Sequence, residues 1–91
     1  MEAGNVYRII IAKDCEKSIS KSPRHIRQAV EAAFEKISHS PYSGSQIKAL
    51  QGEWQGYFRY RVGPYRLIYR VDDGHVTVFA IAFGSRGDIY K

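Results

Sequence analysis

The residues best suited to chemistry lie in the segment YFRYRVGPYRLIYRVDD, which carries Arg59, Arg61, Arg66 and Arg70, and in a short tail that follows with Arg86 and Tyr90. Guanidinium groups bind phosphate oxygens in a fork geometry and stay charged at any cellular pH. Gly63-Pro64 marks a tight turn. Proline cannot take the positive φ that a type I′ turn needs at its second position, so Gly63 at positive φ followed by Pro64 fits type II′. A two-residue loop places Val62 opposite Tyr65 and Arg61 opposite Arg66. Strand alternation then gathers Arg59, Arg61, Arg66, Ile68 and Arg70 on one face and Phe58, Tyr60, Val62, Tyr65, Leu67, Tyr69 and Val71 on the other. Like charges directly opposite one another destabilise a sheet. Such a face points to a polyanion outside the fold, with the arginines as its phosphate cradle. The competing explanation is a solvated arginine face with Asp72, Asp73 or Glu53 as partial neutralisers. Gly84 and Gly87 bracket Ser85-Arg86, so the tail can bend Arg86 back over the end of the sheet. An aromatic such as Tyr90 beside a phosphate cradle suits stacking on an unpaired base, as in single-stranded RNA recognition; as structure alone, it would anchor the C-terminus.

These side chains have to be positioned by a small body. The chain has 91 residues and a net charge of +5. One domain spanning residues 1–91 is expected, and the charge favours an anionic partner. Cys15 is the only cysteine, which excludes an internal disulfide and suits a reducing compartment. His25, His39 and His75 lack metal-ligand spacing, so no metal and no cofactor is expected. The start, MEAGNVYR, does not resemble a signal peptide, and no stretch reaches the length of a membrane span. The expected location is cytoplasmic.

Val6 to Ala12 is rich in β-branched residues and reads as a first strand. Asp14 is placed to cap a short helix over Cys15 to Ser20, and Ser22-Pro23 to open a second. In that second helix Ile26, Ala29, Val30, Ala33, Phe34 and Ile37 recur at helical spacing, and Pro41 ends it. Residues 42–55 read as a polar connector pinned by Ile47, Leu50 and Trp54. Three strands follow, roughly Tyr57 to Val62, Tyr65 to Val71 and His75 to Phe83, with Asp72-Asp73-Gly74 as the second turn. The expected fold is α+β: strand, helix, helix, then a three-strand antiparallel meander with the helices on one sheet face.

This element order, the GPYRLIYRV segment and the closing FGSRGDIY resemble the RelE/ParE superfamily of type II toxins over essentially the whole chain. The RelE branch implies a ribosome-dependent endoribonuclease that cuts mRNA in the A site of the small subunit and is held in check by a cognate antitoxin. The ParE branch implies inhibition of DNA gyrase without nuclease chemistry, and a non-catalytic RNA-binding member is a third possibility. By position, the resemblance makes Arg66 the arginine that stabilises the charged transition state, Arg86 the tail arginine of proton donation or leaving-group stabilisation and Tyr90 the residue that holds or orients the nucleotide. Arg59 and Arg61 stand where the best-known RelE enzyme has two lysines. An arginine effectively cannot lose its proton. Arg61 is therefore a phosphate clamp within the catalytic set rather than a general base, with Arg59 and Arg70 as further RNA contacts. Many relatives carry a histidine where this chain has Ser85. The implied reaction is attack of the RNA's own 2′-hydroxyl on the adjacent phosphate, which needs no metal.

Overall fold

The computed structural model describes residues 6–85. The elements run β1 (Arg8–Ile11), α1 (Lys13–Ser20), α2 (Arg24–His39), β2 (Ile47–Ala49), β3 (Tyr57–Val62), β4 (Tyr65–Asp72) and β5 (Thr77–Ser85). The five strands form one sheet in the order β1-β5-β4-β3-β2. The expected antiparallel meander is β3-β4-β5, and β1 adds to it in parallel beside β5. The α+β class and the helix-covered sheet agree with the sequence reading.

Three local expectations need correction. The stretch 42–55 is more than a connector, because Ile47–Ala49 pairs with β3 and forms the sheet edge. Helix entry does not use the side-chain caps expected of Asp14 and Ser22. α1 starts after Ala12 and α2 after Pro23, neither with a side-chain cap. The Ser22 hydroxyl instead donates to the Ile19 carbonyl at the end of α1. The β4–β5 connection is longer than a tight turn. A short 3-10 turn over Asp73–His75 leads to Val76 at φ 47°, and β5 begins only at Thr77. Left-handed backbone is costly for a β-branched residue. Here the Val76 N–H donates to Asp73 and its carbonyl accepts from Arg8.

The core lies between the helices and one sheet face. Cys15, Ile26, Val30, Ala33 and Ile37 from the helices meet Tyr60, Val62, Leu67, Tyr69, Val78, Ala80 and Phe83 from the strands. The α2 stripe therefore packs as its spacing requires, except that Ala29 is exposed. Burial pushes the Cys15 thiol up to about 12. Phe58 stacks on Tyr69, and the buried Tyr69 hydroxyl donates to the Pro41 carbonyl at 2.6 Å. That bond ties the end of α2 to the middle of the sheet. No helix among the described residues is long and apolar enough to cross a membrane.

Candidate functional site

The opposite sheet face is built by the β3–β4 hairpin. Gly63 adopts φ +59°. A Cβ there would meet only the Ile26 side chain at 3.7 Å, so backbone conformation, not space, is what calls for glycine. With Pro64 next, this is the two-residue turn expected, and the register follows: Val62 pairs with Tyr65, Arg61 with Arg66, and Arg59 with Ile68.

From the hairpin inwards, the first row on this face is Arg61, Arg66 and Gly84. The next is Lys48, Arg59, Ile68 and Ala82. Lys48 went unnoticed in the sequence because a three-residue strand in a Ser/Gly-rich stretch carries almost no period. Its place opposite Arg59 extends the basic row to the sheet edge. Ile68 is fully buried although it faces outward among these cations. Arg59 and Arg66 are half-buried, as arginines are when methylene stems lie on a sheet and the charged head stays wet. Arg61 and Arg70 are exposed.

Of the carboxylates the sequence offered as neutralisers, Asp72 feels the charge of Arg70, but among the described residues none forms an ion pair with an arginine. Asp73 accepts hydrogen bonds from Tyr7 and Tyr42, each at 2.6 Å. Those bonds, Tyr42 first, hold its carboxyl below the usual range. Asp72 bonds the His75 ring at 2.9 Å, which lowers its own pKa. Among the described residues the ion pairs are His39–Glu35 and His75–Asp72, and neither involves an arginine. The Arg61–Arg66 pair thus sits across two strands without a carboxylate, a locally unfavourable arrangement that an anion would relieve.

The structure does not treat all the expected residues alike. Arg59, Arg61 and Arg66 come together on neighbouring strands. Arg70 lies four residues from Arg66, roughly 13 Å along the strand, with its guanidinium carbon 4.2 Å from the Phe79 ring centroid. Arg86 and Tyr90 lie outside the described residues, but β5 ends with Gly84 beside Arg66 and Ser85 beside Tyr65, at the hairpin end of the face. Among the described residues, no group of three His, Cys, Asp or Glu side chains is placed to hold a metal ion. A cleft of about 430 Å³ opens on the other side of the sheet between the end of α2 and β2, and none of the four arginines lines it.

The model for the ParE toxin of type II toxin–antitoxin systems matches residues 7–90. Toxin RelG of Mycobacterium tuberculosis is 42% identical over 86 residues, covering 93% of this chain and 97% of that protein. Toxin RelE of the same organism is 28% identical over 92 residues, covering all of this chain and 93% of its own length. Among solved structures, the RelBE2 toxin–antitoxin complex from M. tuberculosis superposes with a TM-score of 0.77 at 34% identity, covering 92% of this chain and 95% of that one. Fold, arginine face and relatives agree: the chain belongs to the RelE/ParE superfamily of type II toxins.

Proposed function

We propose that this toxin is an endoribonuclease that cuts mRNA on the ribosome, and that a cognate antitoxin neutralises it. The observation that carries the reading is the pairing of Arg61 with Arg66 on an open sheet face, with no carboxylate in an ion pair with either among the described residues. The RelE and RelG names of its relatives support the same branch. In the proposed step the 2′-oxygen attacks the neighbouring phosphorus. A 2′-O–P bond forms, the P–O5′ bond breaks, the 2′ proton leaves and the 5′-oxygen takes up a proton. The products are a cyclic phosphate and a 5′-hydroxyl. Arg66 stabilises the charge that builds on the phosphorane, and Arg61 and Arg59 clamp the phosphate. Arg86 serves the leaving group and Tyr90 orients the nucleotide. No residue in this set is an obvious base poised near neutral pH, so the acceleration comes from in-line positioning and charge stabilisation. The ribosome would complete that positioning. The antitoxin would cover the arginine face or displace the tail.

The test is purified protein on mRNA-programmed ribosomes, with and without a chelator at concentrations that leave ribosomes intact. Cutting that survives chelation is expected. Cutting lost on chelation and restored by an added transition metal would overturn the mechanism. The ParE family model favours a second reading, gyrase inhibition. Blocked supercoiling without RNA cutting would establish it instead.

A further inference from the structure

The outer face has a third row, at the end of the sheet away from the hairpin. Tyr57, Arg70, Phe79 and Ile10 stand side by side on four adjacent strands. Trp54 packs edge-on to Tyr57 at a centroid distance of 5.6 Å. The Arg70 guanidinium lies over the Phe79 ring, with its carbon 4.2 Å from the centroid. Arg70 is exposed, so its guanidinium is backed by an aromatic ring while remaining open to solvent.

We infer that this row is a second RNA contact, at which an unpaired base stacks on the solvent side of the Arg70 guanidinium. Unpaired bases stack on guanidinium planes as well as on aromatic rings. Arg70 is already oriented by Phe79, so little further ordering is required of it on binding. Asp72 favours a base over a phosphate at Arg70. It stands next outward on the same strand and face, is held by His75 and feels the Arg70 charge, while Arg8 ends the same row two strands away on β1. A carboxylate beside Arg70 offsets part of its pull on a phosphate but not its stacking on an uncharged base. Arg70 thus differs in role from the Arg61–Arg66 cradle. The roughly 13 Å between Arg66 and Arg70 along β4 is spanned by no more than about four nucleotides at 3.4 Å or more each.

The inference rests on the outer face being an RNA surface, and the experiment separates the two claims. The probe is a short single-stranded 2′-O-methyl oligoribonucleotide, which cannot be cut, with 2-aminopurine placed in turn at each position. Stacking quenches this base. One or two adjacent positions should be quenched by the parent protein. Arg70→Lys keeps the charge but not the plane, and Phe79→Leu keeps the apolar bulk but not the ring. Each should lose the quenching and bind roughly 5- to 100-fold more weakly. Arg70→Lys alters an exposed side chain, and an unchanged melting temperature would show that the fold is intact. Arg70→Lys binding and quenching like the parent would overturn the stacking site and leave the cradle standing. A parent that binds no oligonucleotide, yet blocks gyrase, would overturn the RNA surface and this contact with it.

Discussion

Leu67 and Arg66 are neighbours on β4 and point to opposite sides of one sheet. Leu67 is fully buried beneath the helices with Tyr69 and Val78, where packing and one tyrosine hydrogen bond satisfy every group. Arg66 faces out with Arg59 and Arg61, opposite a like charge and without a carboxylate among the described residues. Residues on the inner face are explained by what they touch inside the molecule. Arg59, Arg61 and Arg66 on the outer face are not, and the lack of an ion-paired carboxylate among the described residues is what marks them as phosphate-binding groups. Arg70 bears the same charge but is held by Phe79, which suits it to a different kind of contact.

Substitutions should divide along the same line. The largest effect on folding belongs to the inner face. Leu67→Ala leaves a cavity in the core and should cost about 2–5 kcal/mol of stability, read by denaturant unfolding. A loss below about 1 kcal/mol would mean that the core is not packed as described. On the outer face the sign reverses. Arg61→Gln removes one of two opposed like charges and should raise stability by about 0.2–1 kcal/mol while weakening RNA cutting. A fall in melting temperature would show that Arg61 has a structural partner after all.

The smallest effect concerns the clasp of Tyr7 and Tyr42 on Asp73. The hydrogen bonds lower the Asp73 pKa in the folded state. Its contribution is therefore present above the unfolded value of about 4 and is lost as pH falls through the folded value. Asp73→Asn should lower the melting temperature slightly at neutral pH, and the gap from the parent should close in acid. A gap that stays constant from pH 7 to pH 2 would rule out the carboxylate as its source.

Much of this was legible in the sequence because period-two alternation is strong where both faces are strongly typed. FRYRV and YRLIYRV, joined by Gly-Pro, fix a register with no free choice once the turn has two residues. The α2 stripe was legible for the same reason. Short and irregular features were not. Ile47–Ala49 is held as a strand by β3 rather than by its own pattern, so Lys48 was overlooked. The shift in β4–β5 register between Ile68 and Tyr69 depends on an extra residue in β5 that no local signal announces. Val76, not a residue of the Asp72-Asp73-Gly74 turn signal, takes the left-handed conformation, and its backbone bonds Asp73 and Arg8. The stacking of Arg70 on Phe79 joins residues nine apart in sequence that only strand pairing makes neighbours.

The central claim is that the outer arginines serve the reaction and not the fold. Arg66→Ala tests it most directly when single-turnover cleavage of ribosome-bound mRNA and the melting temperature are measured on the same preparation. The rate should fall by roughly 10²–10³, with a melting temperature equal to or slightly above that of the parent. Cleavage at the parental rate, or a loss of rate matched by a loss of folded protein, would contradict it.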